Sequence, residues 1–465
     1  MRRSVLSSAA LLIAWGLAAG PAAADKVDDY VRRQMRGRNV PGVSVAVVQE
    51  GKVAKIRGYG LANVELAVPA TAETVYQLAS VTKQFTATAV MMLVEEGKID
   101  LDETITRYLE GLPAAWGEVT VRHLLNHTSG IKSYTGLPDF AKSFRKDYTK
   151  DELIRLVADL PLEFAPGERF SYNNTGYFLL GMLIEKVSGK EYGTFLKERI
   201  FDPLGMTRTR VNDLTAVIPN RATGYGWSPK GLRNGEYVSP TQPYAAGALV
   251  STVTDLVKWD AALDGERLLK RATLLRMWRP TRLNDGKTHD YGFGWSLGLY
   301  RTRPRVHHGG GIPGFSTYVA RYPEERLTVI VLANSETANA GSLADGIAAF
   351  YIPALVANAP KPIPDSDAAT TERLREVMAR VAAGDANPEW FTETARKVLF
   401  PDRIAEAKAM LGSHGKLKAF DLMAERTDGA IRVREYRASF GDLTLRGIFG
   451  LTAEGKIDRL GMRPE

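Results

Sequence analysis

A hydrophobic segment near the start of the chain predicts a helix that is buried on every side. From Phe85 to Val94 nearly every residue is apolar or small, whereas a surface helix would show a polar face. Gly97 follows as a typical C-terminal cap. Ser80 and Lys83 stand just before this segment, and residues three positions apart share one face of a helix. The segment therefore predicts a hydroxyl and an amine held together at the beginning of a buried helix.

The patterns on either side of this helix predict strands, then a helical insertion, then further strands. Residues 43–60 have the pattern of two strands that are joined by a turn at Glu50-Gly51. The region up to about Asp213 is mostly helical in pattern. Three more strands and a closing helix are predicted at 291–300, 316–322, 327–334 and 340–352. This order predicts one sheet whose two parts are separated in sequence by a long helical insertion.

A proline-rich segment at residues 359–369 predicts a linker between two domains. The first domain is expected to span residues 25–358 and the second residues 370–465. Within the second, residues 370–412 show helical patterns, and residues 416–463 predict four strands joined by glycine-containing turns. The second unit is therefore predicted to be a small α+β domain.

Residues 1–24 have the pattern of a signal peptide. Arg2 and Arg3 form a basic start, a short apolar stretch follows, and Ala22–Ala24 offers small residues for cleavage. The apolar stretch is too short for a permanent membrane helix, and no later run approaches the length needed to span a bilayer. We therefore expect a periplasmic or secreted protein without a stable membrane span.

Composition excludes several classes of site and partner. The chain has no cysteine, which excludes disulfides and thiolate metal sites. Its formal net charge of +8 becomes +6 when Arg2 and Arg3 are removed with the signal peptide. No dense stripe of Lys and Arg with interleaved aromatic residues occurs, so we expect no nucleic-acid partner. The motifs that carry chemistry call for no metal and no cofactor.

The first such motif is S-x-x-K at Ser80 and Lys83. A neutral amine beside a hydroxyl can take its proton and leave a nucleophile, and a helix N-terminus favours the negative charge that develops. The pattern is short, and three further copies begin at Ser129, Ser143 and Ser413. Those copies lie in turn-like or charged sequence, and only Ser80 opens a buried helix.

The second motif is Y-x-N at Tyr172 and Asn174, which occurs once although the chain has 18 tyrosines. A tyrosine beside a lysine cation ionises more easily, so Tyr172 could act as a general base or acid. The Asn174 amide could donate a hydrogen bond to a substrate carbonyl. By itself, the motif is equally typical of a Tyr and an Asn that stabilise a loop.

The third motif is the glycine-rich segment V-H-H-G-G-G, residues 306–311. Glycines in a strand allow a substrate or another backbone to approach closely, which makes Gly310 and Gly311 candidate substrate-binding positions. The backbone N–H groups of Gly311 and Ser80 could together form an oxyanion hole. His308 is expected to face the site. Alone, the segment is more typical of a hairpin with a structural histidine.

The three motifs in this order resemble the serine β-lactamase and penicillin-binding-protein superfamily. The similarity is greatest to the branch of class C β-lactamases, D,D-carboxypeptidases, D-aminopeptidases and related esterases, and covers roughly residues 25–355. Three further stretches look like that branch, namely V-T-V-R-H-L-L-N-H-T-S-G, F-D-P-L-G-M and A-A-G-A-L-V-S-T-V-T-D-L. The resemblance implies an α+β fold, with an antiparallel sheet flanked by helices, an all-helical subdomain and the site between them. It also implies no cofactor.

The resemblance implies a role for each motif residue. Ser80 corresponds to the nucleophile, Lys83 to its activator, Tyr172 to a base and acid, Asn174 to a substrate binder, and His308 to the third motif. Class C β-lactamases carry a lysine where this chain has His308, and a histidine is mostly neutral near pH 7. A substrate carboxylate should therefore be attracted less well.

The expected function is an exported serine hydrolase that cleaves a small ester or amide through an acyl-enzyme on Ser80. An esterase or a D-amino-acid peptidase fits better than a true β-lactamase. The partner would be a small-molecule or peptide substrate, with cell-wall peptide included. The C-terminal domain resembles NTF2-like or cystatin-like domains and is expected to bind a ligand or to pack against the hydrolase domain.

Three alternatives are weighed against this hypothesis. G-W-S-L-G at residues 294–298 fits the nucleophile elbow of α/β-hydrolases, which requires a strand, a turn and a helix around Ser296. His123 and His127 are four apart and could hold a metal, although a third ligand is not apparent. A catalytically weak penicillin-binding-like sensor or a peptidoglycan-binding protein is the non-enzyme alternative, and the intact Ser80, Lys83 and Tyr172 argue against it.

Overall fold

The computed structural model describes residues 25–228, 230–357, 360–441 and 443–464. The predicted signal peptide, residues 1–24, lies outside the described residues. Within the described ranges, no helix is both long enough and apolar enough to cross a membrane.

A seven-stranded antiparallel sheet forms the centre of the larger unit. In spatial order its strands are Ser296–Tyr300, Arg303–Ile312, Phe315–Tyr322, Leu327–Ala333, Gly42–Gln49, Lys52–Asn63 and Val68–Pro69. The early and late parts of the chain meet where Gly42–Gln49 pairs with Leu327–Ala333, with Val45 opposite Val331. The helical insertion is thereby placed at the side of one continuous sheet, as the sequence pattern predicts.

Alternation along the central strands builds two separate cores, because successive side chains point to opposite faces of a sheet. Val45 and Val47 face a core formed with the helices Lys26–Gly37 and Ala340–Ala348. Ala46, between them, faces the larger core formed with the helical insertion. The sheet flanked by helices and the helical subdomain confirm the predicted α+β class.

The helices are short apart from four of 12 to 15 residues in the larger unit and one of 16 near the C-terminus. The bounds in the larger unit are Lys26–Gly37, Thr82–Glu95, Ile105–Tyr108, Val121–Leu125, Lys150–Ala158, Asn174–Ser188, Tyr192–Leu196, Asp202–Leu204, Tyr244–Gly247, Val253–Asp264, Arg271–Met277, Ala340–Ala348 and Pro353–Ala357. Short strands between them form one three-stranded sheet, of Tyr76–Gln77, Leu249–Ser251 and Arg210–Val211. Two further sheets have two strands each, Tyr225–Ser228 with Gly231–Asn234 and Thr281–Arg282 with Thr288–His289.

The buried helix predicted from the hydrophobic segment is Thr82–Glu95, hereafter the central helix. Its residues 82–93 are all buried, which confirms the prediction. It begins later than expected, because Ser80 lies in a preceding 3₁₀ turn, Ala79–Val81. Ala79 has a φ of 47°, in the left-handed region that a residue with a side chain rarely adopts. The turn and the helix follow each other directly, so Ser80 and Lys83 still share one side.

The C-terminal unit packs helices on a four-stranded antiparallel sheet and has its own hydrophobic core. Its helices are Ala368–Ala383, Glu393–Leu399 and Asp402–Leu411, and its strands are Leu417–Asp428, Ile431–Phe440, Leu443–Leu451 and Ile457–Pro464. This arrangement confirms the α+β prediction for the end of the chain.

The second half of the predicted linker contacts this C-terminal sheet. The Ile363 backbone N–H donates to the Leu422 carbonyl at 2.9 Å, and Asp365 forms an ion pair with the fully buried Arg434. The first helix of the unit begins at Ala368, two residues before the predicted domain start, because the Asp367 side chain caps it. The linker predicted at 359–369 is therefore too long at its C-terminal end.

We predict that residues 25–358 fold without the rest of the chain, because the two units have separate cores. The fragment should unfold cooperatively on heating, as followed by circular dichroism. A matched fragment ending at residue 367 should have the same midpoint, since residues 363–367 contact the C-terminal sheet. An insoluble fragment, or one without a cooperative transition, would contradict the prediction.

Candidate active site

Lys83 is the buried centre of the site. Its side chain is fully inaccessible, and its Nζ lies 3.2 Å from the Ser80 Oγ. Two other oxygens complete its surroundings, the Asn174 Oδ1 and the Ala246 carbonyl oxygen, each at 2.8 Å. The structure thus brings together three of the predicted residues and adds the backbone carbonyl of Ala246, which no sequence motif indicates.

The three neighbours of Nζ fit a neutral amine. The Asn174 and Ala246 oxygens can only accept hydrogen bonds, and a neutral amine has two N–H groups for them. Its lone pair then remains for the Ser80 hydroxyl, which can donate. Burial holds the pKa of Lys83 well below its ordinary value. No carboxylate among the described residues forms an ion pair with Lys83 that would oppose this effect.

Tyr172 lies on the same side as Ser80, with its ring centre 4.8 Å from the Lys83 Nζ. Although 40% of the residue is exposed, burial around the hydroxyl raises the pKa of Tyr172, and a hydrogen bond with Ser80 only partly opposes this. The expectation that a lysine cation eases its ionisation is therefore wrong, because Lys83 is itself desolvated and burial dominates for the phenol. The Tyr172 hydroxyl is a proton donor in the resting site.

Asn174 is the first residue of the helix Asn174–Ser188, which begins directly after the Tyr172 loop. Its Oδ1 accepts from Lys83, and its Nδ2 donates to the Thr135 Oγ1 at 3.0 Å. The Nδ2 carries a second N–H, and Asn174 lines the cavity beside Ser80. The side chain can therefore orient the amine and donate to a ligand at the same time.

Gly310 and Gly311 lie in the strand Arg303–Ile312, which passes the Ser80 turn, and they differ in what a side chain would meet. A Cβ at Gly310 would lie 2.1 Å from the Leu78 carbonyl oxygen and 2.4 Å from the Thr317 Oγ1. Glycine at this position is therefore required for the strand to approach the turn that carries Ser80. Gly311 has open space on its Cβ side and lines the cavity, so a ligand can reach its backbone.

His308 differs from its predicted position, since it does not line the cavity beside Ser80 and is only 4% exposed. Its Nδ1 lies 2.7 Å from the Gly309 carbonyl oxygen, which can only accept, so Nδ1 carries the proton. Its Nε2 then accepts from the Tyr291 hydroxyl at 2.9 Å. Burial lowers the pKa of His308 to about 3. Both nitrogens are thus occupied, and His308 holds Tyr291 instead of offering a hydrogen bond to a substrate.

The cavity beside Ser80 has a volume of about 260 Å³, and none of the described residues in its wall carries a charged side chain. Ser80, Asn174 and Gly311 line it on the polar side. Apolar residues form most of the remainder, namely Ala79, Tyr134, Phe140, Ala141, Phe144, Val238, Pro243, Ala246, Ile312 and Pro313. The arrangement suits a neutral, largely apolar group attached to the bond that Ser80 would attack.

Gln242 and Tyr134 support one wall of the cavity and were not recognised from the sequence. The Gln242 Nε2 donates to the carbonyl oxygens of Ser143 and Lys146, each at 2.7 Å. The Tyr134 hydroxyl donates to the backbone carbonyl oxygen of Gln242 at 2.6 Å. A single Gln or Tyr carries no sequence signal of such a role, and neither does the Ala246 carbonyl, because every residue has a carbonyl.

The two alternative sites of the sequence analysis do not form. The helix Val121–Leu125 ends before His127, which has a φ of 61°, so His123 and His127 do not share a helix face. Among the described residues no group of three metal-ligating side chains occurs. Ser296 begins a strand, Ser296–Tyr300, that continues where a nucleophile elbow requires a turn and a helix.

Comparisons with known proteins agree with this geometry. A family model described as Beta-lactamase matches residues 27–352, so the chain belongs to this family. The chain is 34% identical to penicillin-binding protein 4* of Bacillus subtilis (strain 168) over 309 residues, which are 63% of this chain and 68% of that protein. The protein is therefore a serine hydrolase of the β-lactamase and penicillin-binding-protein superfamily.

Two solved structures show how far the similarity extends. The octameric penicillin-binding protein homologue from Pyrococcus abyssi is 26% identical, with a TM-score of 0.64 and 94% of each chain covered. The D-amino acid amidase from Ochrobactrum anthropi SV3 complexed with L-phenylalanine amide is 30% identical, with a TM-score of 0.60. This match covers 72% of the present chain and 96% of the amidase chain. The first match includes the C-terminal unit, and the second is confined to about the length of the larger one.

We predict that Lys83→Met changes how the free energy of unfolding depends on pH. In the unfolded chain, Lys83 is protonated at any pH below its ordinary pKa of 10.5. In the folded protein its pKa is lowered, so Lys83 is already neutral at pH values above that lower pKa. Stability of the wild type therefore rises with pH between the two values, by about 1.4 kcal/mol per pH unit from this group. The variant lacks this contribution, so its stability relative to wild type should be greatest near neutral pH and decline as pH rises.

Urea unfolding at several pH values between about 7 and 10 measures this difference. Lys186→Met, at an exposed lysine on the helix Asn174–Ser188, serves as the matched control and should show no such trend. The quantity to compare is the slope of the free energy of unfolding against pH. Loss of the three contacts of Lys83 lowers this free energy by an amount that does not vary with pH, so it leaves the slope unchanged. Equal slopes for Lys83→Met and wild type would mean that Lys83 is protonated in the folded protein.

Proposed function

We propose that the chain is an exported hydrolase that cleaves a small neutral ester or amide through an acyl-enzyme on Ser80. One observation carries the proposal: the buried amine of Lys83 lies 3.2 Å from the Ser80 hydroxyl oxygen, and burial lowers the pKa of this amine. Export rests on the pattern of residues 1–24, which is typical of a signal peptide and supports a periplasmic or secreted location.

The reaction begins with the removal of the Ser80 proton. The Lys83 lone pair accepts this proton as the Ser80 oxygen bonds to the substrate carbonyl carbon. The carbonyl oxygen gains negative charge, and the backbone N–H groups of Ser80 and Gly311 are proposed to stabilise it. The open backbone at Gly311 and its place in the cavity wall support this assignment.

The leaving group departs with a proton from Tyr172. A phenol with a raised pKa is protonated at neutral pH and can donate to the departing oxygen or nitrogen. The Lys83 ammonium, whose Nζ lies 4.8 Å from the Tyr172 ring centre, then gives the proton taken from Ser80 to the Tyr172 phenolate, which restores the phenol and the neutral amine. Attack of water on the acyl-enzyme reverses these roles and regenerates free Ser80.

The substrate class follows from the uncharged cavity. The described residues place no cation in its wall to bind a substrate carboxylate, and His308 is neutral and accepts a hydrogen bond from Tyr291. An esterase or a peptidase acting on D-amino-acid amides or peptides fits this lining better than a β-lactamase. The similarity to a D-amino acid amidase supports this class, and cell-wall peptide with a neutral terminus is a substrate of the same chemistry.

We predict that Ser80→Ala abolishes turnover and covalent labelling by a fluorophosphonate, because the nucleophile is removed. Ser296→Ala, the matched control, should label and turn over like the wild type, since Ser296 lies in a strand. Mass spectrometry of the labelled wild-type protein should place the adduct on Ser80. An adduct on another serine would refute the proposed function.

We predict that a cation at the cavity mouth changes substrate preference. Thr135 is exposed and lines the cavity, so Thr135→Lys places an ammonium there. Relative to a neutral ester, a substrate with a free carboxylate should gain about ten-fold in kcat/KM, since a charge-assisted hydrogen bond contributes about 1.5–3 kcal/mol. Thr135→Met, of similar length without charge, is the control, and an unchanged ratio would mean that carboxylates do not approach this wall.

A further inference from the structure

His127 is a fully buried histidine beside Tyr172 that the proposed reaction does not use. Its backbone is left-handed, with a φ of 61°, a conformation in which a side chain is disfavoured. Its ring centre lies 4.3 Å from that of Tyr172. We propose that His127 is the positioning residue for Tyr172, holding the phenol where it can donate its proton to the leaving group. The inference rests on the proposed function.

The first support is that His127 binds the backbone on both sides of Tyr172. The N–H of Ser171 donates to the His127 carbonyl oxygen at 2.9 Å. The N–H of Asn173 donates to the His127 Nδ1 at 3.1 Å. One residue thus holds both neighbours of Tyr172, once through its backbone and once through its side chain, and the left-handed backbone allows both contacts together.

The second support is the tautomer that this contact requires. A backbone N–H can only donate, so the His127 Nδ1 must be unprotonated, and the neutral ring carries its proton on Nε2. Burial keeps the pKa of His127 well below its ordinary value, which favours the neutral ring. The Nε2 atom has no hydrogen-bond partner among the described residues. The ring therefore contributes one polar contact, and that contact is to the loop of Tyr172.

The third support is the packing around the ring. The ring of His127 contacts those of Tyr172, Tyr177 and Tyr291, with centre distances of 4.3, 5.0 and 4.7 Å. Tyr291 is held in turn by His308. A close-packed group of this kind has little freedom to move, so the Tyr172 ring is fixed on one face while its other side remains exposed.

The consequence concerns only substrates whose leaving group needs a proton. An alkoxide or an amine departs with the proton of the Tyr172 hydroxyl, whereas p-nitrophenolate departs readily without one. Displacement of Tyr172 should therefore slow cleavage of an alkyl ester or an amide and have little effect on a p-nitrophenyl ester of the same acyl group. If His127 had only a structural role, its replacement would lower the rates for the alkyl ester and for the p-nitrophenyl ester together.

The test compares His127→Gly with His127→Asn. Both residues tolerate the left-handed backbone, but only Asn can present an acceptor oxygen near the position of Nδ1. In His127→Gly, we expect kcat/KM for an alkyl ester to decrease at least about ten-fold relative to the p-nitrophenyl ester, within the range for a proton-transfer group. His127→Asn should recover most of this ratio. Retained p-nitrophenyl ester activity reports that each variant is folded.

A double-variant cycle connects the effect to Tyr172. Tyr172→Phe should show the same selective loss, and adding His127→Gly to it should cause no further selective loss, because the two residues act as one unit. Equal loss for both esters in His127→Gly, an Asn variant no better than Gly, or a further selective loss in the double variant would each overturn the inference. Labelling of Ser80 tests the proposed function separately and does not depend on these ratios.

Discussion

The constraint on which the site depends is the burial of Lys83, which forms no ion pair with a carboxylate in the part of the chain that the structure describes. A buried ammonium would be strongly unfavourable without a partner, and the surrounding groups fit the neutral amine instead. The central helix places Lys83 at its buried start, and the helix Asn174–Ser188 and the segment at Ala246 each supply one acceptor. These two acceptors leave the lone pair for Ser80, so the packing of three distant segments determines the basicity of one group.

The strand that carries the third motif completes the site by close approach. Gly310 lets the strand Arg303–Ile312 lie against the Leu78 carbonyl, to which the Thr317 hydroxyl of the next strand also donates at 2.7 Å. The Ser80 turn is thereby held by the sheet on one side and by its own helix on the other. The left-handed Ala79 lies between these two attachments. Rigid support of this kind keeps a nucleophile oriented before the substrate arrives.

Among the described residues, the wall of the cavity beside Ser80 contains no charged side chain, and the proposed preference for neutral substrates rests on this lining. The histidine of the third motif lies behind the reaction cavity, where it orients Tyr291 within the aromatic group around Tyr172. A lysine in a cavity wall would attract carboxylates through space, whereas a neutral histidine in this position can only influence the geometry of its neighbours. Tyr291, which His308 holds, and His127 both contact the Tyr172 ring.

The sequence by itself determined the elements and the reacting pair. The hydrophobic run at 85–94 predicted the central helix, and the spacing of Ser80 and Lys83 placed them together, because local geometry depends only on neighbours in the chain. The tertiary structure alone decided the directions in which the pKa values of Lys83 and Tyr172 shift, the hydrogen bond of His308 with Tyr291, and the contacts of His127. Desolvation, ring packing and a carbonyl acceptor such as that of Ala246 come from residues far away in the chain, which no local pattern encodes.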